Sequence, residues 1–279
     1  MDPASHPLDG PRGKLVRAVQ QAALLEAHCE AYAVAHPYQL TCRFEKDAHY
    51  AYLDGTPPPL YLGLILGEMV HDLRSALDQL AWQLALSHVG EATLSDPRIG
   101  NLIVFPITDT PVRFRNHKAA PYFDQQALAL MESRQPYQNA ESHLVNPLAI
   151  VREWSNDDKH RVLTPSLGRI AIDDLRFRSD LPVEIDEVEM QVPHASIVDP
   201  AAALFRIPAP EAAQIEFASA PAHVCFLSYA TGEADVLHCD RLRQLCGQVS
   251  ECLVDFEPLF AAVDWSSRTE SWITPDLPG

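Results

Sequence analysis

The chain has 279 residues and a mass of 31.0 kDa, enough for one large domain or two closely joined ones whose core needs no metal or disulfide staple. Hydrophobic residues make up 47% and charged residues 21%, an ordinary balance for a soluble globular protein. The formal net charge of −17 opposes non-specific attraction to nucleic acid or anionic lipid, so an RNA or nucleotide partner requires a local basic pocket.

In chain order, MDPASHPLDGPRGK lacks a cationic start followed by an apolar block and is not expected to act as a signal peptide. Lys14 to about Ala35 reads as a helix, with Val16, Val19, Ala23, Leu24 and Ala27 at three- and four-residue steps. Tyr38–Phe44 and Ala48–Leu53 read as strands around the polar turn Glu45-Lys46-Asp47, hence a hairpin. After Pro57-Pro58-Pro59, a long helix runs from about Leu60 to His88 with the seam Leu66, Met69/Val70, Leu73, Leu77, Leu80 and Leu84. Its opening apolar run, Leu60–Leu66, is far too short to span a bilayer, and no membrane association is expected.

Leu102–Ile107 (LIVFPI) reads as a short strand, and about Asp124 to Arg134 as a third helix. Asn146-Pro147 is a helix start, with Asn as N-cap and Pro in the first turn; that fourth helix leads into Ser155–Arg161. From about Arg169 the character changes: EIDEVEMQV, ALFRI, QIEFAS and HVCFLSY read as strands separated by Pro and small residues. Asp235 to about Val263 reads as a long closing helix. The expected fold is α+β: an N-terminal helical bundle with an inserted β-hairpin over 1–165, then a β-rich part with a C-terminal helix over 166–279. The six cysteines form no Cys-x-x-Cys pair, which points to a reducing cytoplasm rather than a secreted framework.

Two polar constellations stand out. On the long helix, His71, Arg74 and Asp78 fall within a strip roughly 60° wide beside the seam, with small residues Gly67, Ala81 and Ala85 continuing it. Arg74 and Asp78 stand i, i+4, and their pairing has a plain structural explanation, because a buried guanidinium needs a carboxylate. The second is Asn156–Arg161, with acid, base, imidazole and guanidinium side by side. Packing of the fourth helix on the long one would bring His71, Arg74, Asp78, Asp158 and His160 together. Two basic runs could hold a polyanion: Arg113-Phe114-Arg115-Asn116-His117-Lys118 and Lys159-His160-Arg161. The other histidines, His117 among them, read as packing or surface residues.

The segments HDLRSALDQLAWQL (His71–Leu84), DDKHR (Asp157–Arg161) and FEPLF (Phe256–Phe260) resemble a group of bacterial proteins without an assigned activity. More distantly, an Arg-polar pair on a helix is similar to the active-site helix of HEPN domains, many of which are metal-independent ribonucleases of toxin and defence systems. That resemblance implies an Arg holding phosphate and a His exchanging protons. Arg74-Ser75 matches its start, but positions 79 to 81 are Gln, Leu and Ala and the required histidine is missing, so His71 or His160 would serve, with Asp78 and Asp158 orienting them. The expected function is action on a phosphate-containing substrate, with no cofactor.

A second reading is a bundle holding two iron or manganese ions through Glu68, His71, Asp157 and His160, from two carboxylate-x-x-His spacings. A third is a non-catalytic binding or scaffold protein. The chain carries no P-loop, nucleophile elbow, Rossmann glycine pattern or HExxH motif.

Overall fold

A computed structural model of the chain describes residues 6–36, 39–54, 56–138, 146–159, 163–167, 177–181, 189–190, 203–218, 224–228 and 235–260. The architecture mixes helices with small antiparallel sheets, the α+β class expected from the two periodicities.

Helix α1 (Asp9–Ala35) starts earlier than Lys14. Its first turn is set by His6 N–H donating to Asp9 Oδ2 at 2.8 Å, and Pro11 sits where no amide hydrogen is needed. Strands β1 (Gln39–Glu45) and β2 (Ala48–Asp54) form the hairpin, in register from Gln39↔Asp54 to Glu45↔Ala48. Helix α2 (Tyr61–Val89) follows, and Leu66, Met69, Leu73, Leu77 and Leu80 on its seam are fully buried. Three short helices, α3 (Glu91–Leu94), α4 (Pro97–Gly100) and α5 (Pro111–Arg115), precede α6 (Gln125–Ser133) and α7 (Pro147–Asp158). Side chains cap four of these helices. Asp96, Thr110, Asp124 and Asn146 each accept a backbone N–H of the first turn, which otherwise has no partner.

Leu102–Ile107 is not a strand: Leu102 closes a turn on Ile99 O, and the residues after it have no regular structure. Ile103, Phe105 and Ile107 are buried, and so is Pro106, so the burial does not alternate as it does along a half-buried strand. The surrounding backbone groups are satisfied by side chains instead of a neighbouring strand. Arg74 and Asp78 hold Phe105, Arg152 Nη1 donates to Ile107 O at 3.3 Å, and Gln135 holds the next turn. The Gln135 carboxamide is saturated: Oε1 accepts Thr108 N–H at 2.8 Å, and Nε2 donates to Pro106 O at 2.7 Å and Met131 O at 3.0 Å.

The later strands are β3 (Thr164–Leu167), β4 (Phe177–Ser179), β5 (Glu189–Met190), β6 (Ala203–Ile207), β7 (Ile215–Phe217), β8 (Val224–Ser228) and β9 (Asp235–His238). Asp235 therefore does not open the last helix. Asp235–His238 pairs with β8, and α8 spans Leu242–Phe256 after a 3₁₀ turn. Of EIDEVEMQV, only Glu189 and Met190 lie within the described residues.

Two compact units, each discontinuous in sequence, emerge from the contacts. One comprises the described residues within Met1–Ala23, Ile65–Val162 and Asp240–Gly279. Its core gathers the α2 seam, Met131, Trp154, and Phe105 edge-on to Phe256 at 6.1 Å between ring centres. The other comprises those within Leu24–Leu64 and Leu163–Cys239. It holds the sheets β1-β2-β6-β5, β3-β8-β9 and β4-β7, with Ile207, Ala209 and Ala213 packed against Ile215 and Phe217. Among the described residues, no helix is long and apolar enough to cross a membrane.

Candidate functional site

The expected site residues on α2 point to different tasks. Arg74 donates from Nε to Asp78 Oδ2 at 3.1 Å and from Nη2 to Asp78 Oδ1 at 2.8 Å, and Nη2 also reaches Phe105 O at 3.0 Å. Asp78 Oδ1 accepts Phe105 N–H at 2.9 Å. The pair thus grips both backbone groups of one buried residue, the role that strand pairing would otherwise fill. Asp78 orients Arg74 and Phe105, not an imidazole.

His71 is exposed, with Nε2 3.4 Å from Ser75 Oγ. Asp158, at the end of α7, does approach it. The Asp158 carboxylate rests on the bare backbone of Gly67, where an added Cβ would lie 2.0 Å from Oδ1. Burial pushes the Asp158 carboxyl above its usual 3.8; His71 opposes that shift and Glu68 adds to it. The charge of His71 therefore reaches Asp158, one helix turn before Arg74. His160, with Arg161 beside it, lies outside the described residues.

The alternative metal set is not assembled by the ligands that are described. Glu68 is exposed and accepts Gln21 Nε2 at 2.9 Å. Asp157 is buried, whereas its neighbour Asp158 is the one turned to His71, about 100° round the helix. Among the described residues, no group of three His, Cys, Asp or Glu side chains is placed to hold a metal ion.

A different imidazole stands near Arg74. The basic run Arg113–Lys118 forms α5 and its exit: Thr110 caps the start, buried Phe114 anchors it, and His117 N–H closes the end on Phe114 O at 3.0 Å. The His117 ring is half-buried, and its Nδ1 accepts Ala119 N–H at 3.3 Å, so the neutral ring carries its hydrogen on Nε2. Burial, helped by the charge of Arg74, holds His117 below its usual 6.5. His117 lines a cleft of about 580 Å³ together with Asn101, Thr108, Arg113, Asn116 and Lys118. Arg113 is largely exposed and shares Asp109 with Arg152, at 3.1 Å and 2.7 Å. Among the described residues, Lys118 has no carboxylate partner. The cleft thus gathers three cationic or ionisable side chains on a strongly acidic chain. The basic run signalled it in the sequence; the meeting of His117 with Arg74 had no local signal.

No protein-family model matches the chain, and neither the curated proteins nor the solved structures yield a match.

Proposed function

We propose that the chain acts on a phosphate-containing substrate, RNA or a nucleotide, held in the cleft of Arg113, His117 and Lys118. The observation that carries this reading is the His117 imidazole, half-buried in the wall of a cleft that also holds Arg113 and Lys118. With Nδ1 tied to a backbone donor, neutral His117 offers Nε2–H to a phosphoryl oxygen; it is a donor there and not a base. Arg113 and Lys118 supply mobile positive charge at the rim. Such a wall stabilises negative charge building on phosphate oxygens during metal-independent phosphodiester transfer. Proton exchange in that reaction is assigned to the expected imidazoles, His71 and His160.

The test uses a labelled single-stranded RNA in EDTA, whose phosphodiesters do not titrate near neutrality. Cleavage is expected to fall about 100-fold in His117→Ala, the cost of removing one donor to the developing charge. Lys118→Ala is expected to weaken RNA binding and to reduce the salt slope by about one. Protonation adds positive charge to His117, so binding by wild type should tighten as pH falls below 6.5 and stay flat in His117→Ala. Equal cleavage and equal binding by wild type and both variants would remove the reading.

A further inference from the structure

A second concave site lies between the start of α1 and the middle of α2. It has a volume of about 410 Å³ and is walled by His6, Asp9, Gly10, Gln79, Trp82 and Gln83. Gln79 and Gln83 stand i, i+4 on one helix face, with Trp82 between them in sequence. All three are half-buried. The Trp82 ring is held by Gly100, where a Cβ would sit 3.6 Å from both Cη2 and Cζ3. The Gln79 carboxamide is drawn over Gly10, whose missing side chain leaves room for Oε1 at 2.8 Å from the Cβ position.

The two carboxamides have no hydrogen-bond partner among the described residues. Each offers two N–H donors and one carbonyl acceptor, open to a ligand that enters the pocket. An indole beside two amides whose edges are left to solvent matches a flat heterocycle that combines a π-face with a donor–acceptor edge. Asp9 is the one carboxylate in the lining, and the lining contains no Lys or Arg, which disfavours an anion there.

We infer that this pocket binds a nucleobase, packed on Trp82 and hydrogen-bonded along its edge by Gln79 and Gln83. The source is either a free nucleoside or an unpaired base of a nucleic acid. The site is separate from the phosphate cleft and stands without it.

The test reads tryptophan fluorescence of the full chain titrated with adenosine, uridine, a short single-stranded RNA, ribose 5-phosphate and methyl glucoside. Saturable quenching by at least one nucleoside or by the RNA is expected, lost in Trp82→Phe and at least tenfold weaker in Gln83→Leu. RNA without nucleoside quenching identifies a polymer base as the source; nucleoside quenching identifies the free form. His117→Ala, which removes the donor of the phosphate cleft, should leave nucleoside quenching unchanged, so the two sites fail separately. Absence of quenching by both nucleosides and RNA would overturn the inference. So would equal affinity in Gln83→Leu with a wild-type melting curve, or quenching by ribose 5-phosphate or methyl glucoside instead.

Discussion

Gly63→Ala is expected to destabilise the protein by about 3 kcal/mol, the scale of overpacking a site that has no room. Helix propensity alone predicts the opposite sign, since alanine is better than glycine inside a helix by about 1 kcal/mol. The reason is a backbone-to-backbone contact. A Cβ on Gly63 would fall 1.8 Å from Leu163 O, 3.0 Å from Leu163 C and 3.3 Å from Pro165 Cδ. Leu163 is buried, and the next residue begins β3, whose register with β8 fixes the carbonyl in place. Relief requires moving either α2 or the sheet edge. Gly67→Ala is the control on the same helix: its Cβ would meet the tip of the Asp158 side chain, which can swing away, so a loss of about 1 kcal/mol is expected. At about 2–4 °C per kcal/mol for a chain of this size, thermal melts separate the two variants. Wild-type stability in Gly63→Ala would show that the close approach does not exist.

What could be read from the chain without coordinates was local. The α2 seam, the hairpin and the Asn146-Pro147 start each carry their cause within a few residues: a 3.6-residue apolar period, alternation around a polar turn, and a capping side chain before a proline. The failures share a different cause. Leu102–Ile107 and Asp235–His238 have patterns that suit more than one environment, and what decides between them is the distant partner of the backbone. For the first it is Arg74, Asp78 and Arg152; for the second it is β8. Likewise, β2 pairs with β6 across a long stretch of chain, a pairing no local signal announces. The candidate site shows the same division. The i, i+4 geometry made the Arg74–Asp78 pair legible, but not the Phe105 backbone that employs it. His117 was visible as part of a basic run, but not as the neighbour of Arg74. A one-helix strip fixes direction within that helix and says nothing of what arrives from elsewhere.

Asp72 makes the point in energetic terms, and its removal is the other large effect expected. It follows His71 directly and sits one step off the α2 seam, where apolar spacing alone leaves it looking like an ordinary solvent-side acid. In the folded chain its side chain is 2% exposed, and two cations of α1 converge on it: Lys14 Nζ at 2.7 Å and Arg17 Nε at 3.2 Å. Arg17 is more than half exposed, so its share is screened by water and small. Lys14 is three-quarters buried and carries most of the coupling. Asp72→Ala leaves that ammonium beside the core without a counter-charge and is expected to cost about 3–5 kcal/mol. The pair itself is another matter, because desolvating two charges offsets much of their attraction. Asp72→Leu combined with Lys14→Met should therefore recover most of the loss, whereas Asp72→Leu alone should not. Chemical denaturation of the two single variants and the double variant reads this directly as a coupling energy. If the double variant is as damaged as the sum of the singles, Asp72 and Lys14 act independently and the buried pair is not what joins α1 to α2 at this level.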